Sequence, residues 1–244
     1  MRRRFFVDKF EGQKATVRGE TAEHLGRVLR AEPGQLFELS DGERVWLARV
    51  QNVALPKRGD QRIEFALIEP MEAREPQLAL NLLISIVKFD RFEWCLEKAT
   101  ELGVTEIVPL AAARTDRPLI GAAVKRHARW ERILVESAQQ SRRLRPPKLA
   151  PVVQAEEAFR NTQGGGLKIL LSERPEAPAL RTIAHANGDL PRATLAFGPE
   201  GGWADEELME ARNAGFSEAS LGETILRTET AVIAAASVVR FAFS

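Results

Sequence analysis

Two glycine-bearing stretches carry the residues best suited to chemistry. Gly198-Pro199-Glu200-Gly201-Gly202 sets three glycines and a carboxylate in five residues, directly after the apolar run Ala193 to Phe197. Glycines let a backbone approach a ligand closely and turn amide N–H groups outward as donors. The same composition also serves a tight surface turn, and on these residues alone both readings stand. The second stretch is Leu221-Gly222-Glu223-Thr224-Ile225-Leu226-Arg227-Thr228-Glu229-Thr230-Ala231. It sets apolar Ile225 and Leu226 beside a cation and an acid, then enters an alanine-rich helix. Arg227 and Glu229 read equally as a polar helix start, with Thr228 as its cap. A third strand end, Leu170-Leu171-Ser172-Glu173-Arg174, adds polar groups but says little alone. Neither G-x-G-x-x-G nor G-x-x-x-x-G-K-S/T occurs, so dinucleotide and nucleoside-triphosphate loops lack support.

Loops of this kind need strands and helices to hold them. Leu78 to Val87 reads as a buried strand, Phe89 to Leu102 as a helix stopped by Gly103, and Val104 to Leu110 as a strand. Val124 to Ser141 follows as a helix with Trp130, Leu134, Ala138 and Ser141 on one face. Leu167 to Leu171, Ala193 to Phe197 and Ala219 to Leu221 are strands, and Ala204 to Asn213 and Thr228 to Phe243 are helices. Strands alternating with helices imply an α/β domain with a mostly parallel sheet covered on both faces. The first seventy residues differ. Ala15 to Val17, Leu36 to Leu39, Val45 to Val50 and Arg62 to Ile68 are short β-like runs punctuated by Pro33-Gly34, Asp41-Gly42 and Arg58-Gly59-Asp60, with one helix near Ala22 to Leu29. They suggest a small barrel. The charged, proline-bearing stretch from Glu69 to Pro76 separates the two grammars, giving expected domains at 1–72 and 73–244.

Composition narrows the field. The 244 residues carry a net charge of +1, one cysteine and three histidines, with no zinc-like spacing and no internal disulfide. No apolar run approaches the ~20 residues that span a bilayer, and Asp8 cuts the basic start short of a signal-peptide core. The expectation is a cytoplasmic, metal-independent protein. Its charge is segregated: from Arg114 to Lys148 ten Lys/Arg face three acids, and the first thirty residues hold eight against four. From Gly198 to Glu229 eight acids face two arginines. Solvated helix faces explain single charge runs; two basic segments in one chain point to RNA or DNA.

Five segments together resemble the RsmE family of ribosomal RNA methyltransferases: the two glycine stretches, Phe92 to Val104, Ala138-Gln139-Gln140-Ser141-Arg142-Arg143, and His24-Leu25-Gly26-Arg27-Val28-Leu29-Arg30. The likeness runs through both domains in order. It implies a SPOUT-class α/β domain with a trefoil knot, preceded by a PUA-like β-barrel, in a homodimer. It also implies transfer of a methyl group from S-adenosylmethionine to N3 of one uridine in small-subunit ribosomal RNA, in the assembled subunit. Where relatives commonly carry Thr-Glu-Arg-Ser, this chain has Arg114-Thr115-Asp116-Arg117, and Ala204 replaces a frequent helix-capping Ser or Thr.

The resemblance also implies site residues. Leu171, Ser172, Gly198, Pro199, Glu200, Gly201, Gly202, Leu221, Gly222, Ile225, Leu226 and Arg227 form the expected cofactor slot. N3 of uridine is a nucleophile only after losing its proton, so a carboxylate base and a cation are needed. Glu200 and Glu229 are the candidate carboxylates, Arg227 and Arg142 the candidate cations. RNA contacts are expected from Arg2, Arg3, Arg4, Arg27, Arg30, Arg142, Arg143, Arg145 and Lys148. Two further readings stay open: a knotted enzyme methylating a ribose 2′-hydroxyl or another base, and a non-catalytic ribosome-assembly protein that binds RNA.

Overall fold

The computed structural model describes residues 3–56, 59–162, 164–174, 176–187 and 189–243. They form two compact units, one of Met1–Glu75 with Ala138–Pro146, the other of Pro76–Ser137 with Pro147–Ser244.

In the first unit, strands β1 (Arg4–Phe6), β2 (Lys14–Arg18), β3 (Leu36–Ser40), β4 (Val45–Ala54) and β5 (Arg62–Met71) make one sheet in the order β1-β3-β4-β5-β2. The Asp41-Gly42 turn joins β3 to β4 as a hairpin: the Asp41 carboxylate accepts from the Glu43 and Arg44 amides at 3.1 and 2.7 Å. Alternate residues such as Ala15, Val17, Ile63 and Phe65 face a core with Phe5, Leu25 and Leu39. The single helix expected near Ala22 to Leu29 is instead α1 (Gly19–Glu23), followed by a π-helical turn, His24–Val28. The apolar start of the chain, too short to register as an element, is the edge strand β1, parallel to β3.

Residues 138–146 complete this unit. The buried Arg4 guanidinium donates through Nε and Nη2 to Glu38 Oε2 at 3.2 and 3.0 Å, and through Nη1 to the Arg142 carbonyl at 2.7 Å. Ser40 Oγ donates to the Leu144 carbonyl at 2.6 Å, and Arg145 donates to the Gly42 carbonyl and to Glu75 at 2.9 and 2.7 Å. Arg142 itself takes a left-handed backbone, φ 54°, which Cβ crowding disfavours unless surroundings hold it. The bonds to either side do so.

The second unit is built on a parallel sheet. Its strands are β6 (Ala79–Ser85), β7 (Glu106–Ala111), β8 (Lys148–Leu149), β9 (Val153–Gln154), β10 (Leu167–Leu171), β11 (Arg192–Phe197) and β12 (Ser217–Ala219). The order is β12-β10-β11-β6-β7-β8, with β9 also on β7. Helices α2 (Phe89–Glu101), α3 (Arg117–Ala123), α4 (His127–Gln140), α5 (Ala155–Asn161), α6 (Leu180–Ala186), α7 (Asp205–Asn213) and α8 (Thr228–Ala242) connect and cover the strands. Successive strand residues point to opposite faces, so Leu82, Ile84, Leu195 and Ile169 enter one core with Phe92, Trp130, Leu180 and Val232. Leu83, Ala196 and Leu170 enter another, with Phe159, Leu208 and Phe216. That two-sided burial is why the strands read as continuous apolar runs. Cys95, in the first core, is inert: burial first, and the Glu229 charge second, push its thiol up to about 12.

The helix expected over Val124 to Ser141 is α4, entered through a 3-10 turn, Val124–Arg126. A further short helix, α3, opened by Pro118, precedes it. On α4, Trp130 packs on Phe92 with ring centroids 4.6 Å apart. Arg126 caps the Phe89 ring at 4.2 Å and donates to Glu93 Oε1 at 2.9 Å; Arg129 grips both Glu93 oxygens at 2.8 Å. No helix among the described residues is long and apolar enough to cross a membrane.

Candidate active site

Strand β10 lies between β11 and β12, with Leu171 opposite Ala219 and Leu170 opposite Ala196. Because they are parallel, the loops leaving their carboxyl ends gather at one edge, where open α/β sheets place ligands. There they enclose a cavity of about 740 Å³, within the range of about 300–1,000 Å³ that suits small-molecule sites. Apolar Leu171, Phe197, Trp203, Leu221, Ile225 and Leu226 share its wall with Arg91, Arg114, Arg227 and Glu200.

The loop after β11 is shaped from within. Gly202, at φ 70°, donates its N–H to the Pro199 carbonyl at 2.9 Å, a turn that a side chain at this φ would strain. A Cβ on Gly198 would lie 3.1 Å from the Trp203 ring, whose Nε1 donates to the Leu171 carbonyl at 3.0 Å. The indole thus ties the β10 and β11 loops together across that glycine. Thr228, expected as a helix cap, is the first residue of α8 after the N-cap position Arg227. Its hydroxyl instead donates to the Gly198 carbonyl at 3.3 Å, joining the β12 loop to the β11 loop.

Glu207 does the remaining bracing. Fully buried, it accepts from the Ala204 amide at 2.8 Å and from the Ala113 amide at 2.9 Å. Ala204 lacks a capping side chain, yet the third residue of α7 still reaches back to its N–H, half of a capping box. Arg114, on the segment Glu207 fixes, donates to the Gly201 carbonyl at 3.0 Å.

Of the residues expected in the cofactor slot, all but Gly201 line the cavity. Among the expected catalytic groups, Glu200 and Arg227 line it, Glu229 is buried, and Arg142 belongs with the first unit. Sequence reasoning missed Arg91. This α2 residue lines the cavity, makes an ion pair through Nη1 with Glu200, and sets Nε 3.7 Å from Glu229 Oε1. The signal was a cation in the first turn of a helix directly after a buried strand. Asp116 precedes α3 and is not on the cavity wall.

The expected RNA contacts divide by exposure. Arg3, Arg27, Arg30, Arg145 and Lys148 are exposed, Arg142 and Arg143 half-buried, and Arg4 is buried against Glu38. Arg2 lies outside the described residues.

A parallel α/β sheet with three loops closing on one apolar, charge-rimmed cavity defines a small-molecule-binding enzyme domain, and the family model described as RNA methyltransferase domain matches residues 74–240. The chain is 35% identical to ribosomal RNA small subunit methyltransferase E of Synechocystis, over 89% of its own length and 70% of that protein's. With the Bacillus subtilis protein of the same name it shares 28% identity over 95% and 91% of the two chains. It also resembles a crystal structure of ribosomal RNA small subunit methyltransferase E from Neisseria gonorrhoeae bound to S-adenosylmethionine. That likeness has a TM-score of 0.84 and 32% identity, and covers 99% and 98% of the chains. The chain belongs to the ribosomal RNA small subunit methyltransferase E family.

Proposed function

We propose that the protein transfers a methyl group from S-adenosylmethionine to N3 of a uridine in small-subunit ribosomal RNA. The observation that carries the reading is the cavity: three loops, each after a parallel strand, closing on residues suited to a flat heteroaromatic group with a charged tail. Leu171, Leu221, Ile225 and Leu226 offer the apolar slot for adenine, and the close-packed Gly198 with the left-handed Gly202 brings backbone polar groups to its rim. The residues fit the cofactor, which supplies an electrophilic methyl group held on a sulfonium. This chain's part is to hold the acceptor in line with that methyl, worth up to about 7–11 kcal/mol when the geometry is good. It must also take the N3 proton. That role is assigned to Glu200, on the wall and half-exposed, with the buried Glu229 beside the same Arg91 guanidinium.

The same reading extends to the rest of the chain. The second unit is proposed as a SPOUT-class trefoil-knotted domain, supported by the parallel order and by the contact of the β12 loop with the β11 loop. The first unit, a mainly antiparallel five-stranded sheet, is proposed as PUA-like and RNA-binding, in a cytoplasmic homodimer acting on the assembled small subunit. Arg3, Arg27, Arg30, Arg142, Arg143, Arg145 and Lys148 are the proposed phosphate contacts. Arg4 serves them by holding the Arg142 carbonyl.

The deciding experiment supplies labelled S-adenosylmethionine and small-subunit RNA lacking the modification, naked and assembled, and identifies the product nucleoside. N3-methyluridine at one site is expected. A ribose-methylated or other base-methylated nucleoside would overturn the choice of acceptor, and tight RNA binding without transfer would overturn the enzyme reading. Replacing Arg142 and Arg143 together by alanine is expected to weaken RNA binding. It should also flatten the slope of log affinity against log salt by about 0.7 or more per lost contact, with cofactor affinity unchanged.

A further inference from the structure

Resting on that reading, we infer that Arg91 is the cation of the transfer step: it holds Glu200 at the cavity beforehand and passes to the uracil anion once Glu200 has taken the N3 proton. Three observations place it there. Arg91 lines the cavity, and its guanidinium is the cation paired with Glu200, the one candidate carboxylate on the cavity wall. The same guanidinium has a second carboxylate behind it, Glu229 at 3.7 Å, which is 8% exposed. Arg91 also projects from the first turn of α2, a 13-residue helix anchored in the core by Phe92, Cys95 and Leu96.

The chemistry follows from counting charge. Before reaction the cluster holds one guanidinium and two carboxylates, next to a neutral uracil. The N3–H bond breaks and its proton goes to a Glu200 oxygen, leaving the electron pair on N3 and negative charge spread over O2, N3 and O4. Glu200, now neutral, no longer holds the guanidinium by charge. Arg91 then has two anions in reach, Glu229 behind it and uracil in front. A planar guanidinium presents several N–H donors in a fixed fork, so it satisfies both at once. N3 next bonds to the methyl carbon as the carbon–sulfur bond breaks, its electron pair staying on sulfur, and the ring is neutral again. Proton transfer leaves the net charge of the cluster unchanged and moves only its location; methyl transfer then raises it by one, matching the positive charge lost when the sulfonium becomes a neutral thioether. A donor held at the cavity before charge develops needs only a short shift between partners, and such preorganised charge stabilisation contributes most in sites of this kind. Glu229 thereby acts as a positioning residue that keeps Arg91 in register while Glu200 changes charge.

The test compares wild type, Arg91→Met and Arg91→Lys in single-turnover methyl transfer, on RNA containing uridine or 5-fluorouridine at the target site. Fluorine withdraws charge from the ring, so the anion of 5-fluorouridine needs less help. Arg91→Met is expected to lose about 100-fold in rate on uridine RNA, the usual cost of removing one charge-stabilising donor. Its affinity for S-adenosylmethionine, measured by calorimetry, should stay within about threefold, and its deficit should shrink to about tenfold or less on 5-fluorouridine RNA. Arg91→Lys, which keeps the charge without the fork, should fall between. Equal deficits on both RNAs, no deficit, or loss of cofactor binding would each overturn the inference; if Arg91→Met does not fold, the same comparison on Arg91→Lys decides. A wild-type product other than N3-methyluridine is seen separately, in the wild-type digest, and would remove the underlying reading.

Discussion

Helix α2 carries two ion-pair clusters two residues apart. Residues at that spacing point to different sides of a helix, and the clusters differ accordingly. Glu93 is closed: two arginines from the following helical segments fill both of its oxygens, and Arg126 also covers Phe89. Arg91 is open: it lies on a cavity wall, shared between a half-exposed carboxylate and a buried one. Saturated partners make a charge structural. A charge with an exchangeable partner beside a cavity is available for chemistry. Glu207 extends the contrast, since it is saturated like Glu93 but stands next to the cavity.

The largest effect that would sharpen this contrast comes from Glu207→Ala. It strips the partner from two backbone N–H groups, and orphaned buried donors cost about 1–3 kcal/mol each. A loss of about 3 kcal/mol is expected, read as a lower urea midpoint with unchanged slope. Rate should fall as well, because the Ala113 and Ala204 segments carry Arg114 and the glycine loop.

Next comes Gly198→Ala. Its Cβ, 3.1 Å from the Trp203 ring, must displace the indole that ties two loops together. Cofactor affinity should drop about tenfold, or about 1.4 kcal/mol, with little change in unfolding. Unaltered affinity would show that the loops close without that contact.

Glu93→Gln should cost about 1–2 kcal/mol, as lost charge-assisted bonds do, while transfer rate holds within about twofold. The Arg129 hydrogen bonds foremost, with Arg126 in support and burial opposing, hold the Glu93 carboxyl below its ordinary value of 4.5. A lowered carboxylate stabilises the fold fully above its unfolded value and ceases to do so as pH falls through the folded one. The stability gap between wild type and Glu93→Gln should therefore be present at pH 7 and close progressively as pH falls below 4.5. A gap that persists in acid, or a fall in rate, would break the contrast.

Arg114→Ala is the smallest. Its bond to the Gly201 carbonyl is exposed, so a change of about 0.5 kcal/mol or less is expected in calorimetric unfolding.

What the sequence disclosed follows from range. Phe92, Cys95, Leu96 and Ala99 recur at helical spacing, and β6 reads as apolar throughout because both of its faces are buried. The two glycine stretches announce themselves by composition, and they do meet at one cavity. Short elements escaped: β8 and β9 have two residues each, and α3, α5 and α6 have seven each, too few for a period to show. Arg91 escaped because its meaning lies 109 residues away at Glu200. Glu207 looked like one more acid in an acidic helix; its role depends on Ala113, on a different loop. Arg4 read as part of a basic run, and only the fold reveals Glu38 and Arg142 around it.

The return of residues 138–146 to the first unit has a consequence for synthesis. As the chain leaves the ribosome from its amino end, the first 75 residues emerge without the segment that satisfies Arg4 Nη1 and Ser40 Oγ. That unit is complete only when residue 146 is out, by which time β6 and β7 of the second have already been made. No single cut in the chain separates the two units, since a protease nick after residue 75 leaves residues 138–146 of the first on the fragment that carries the second.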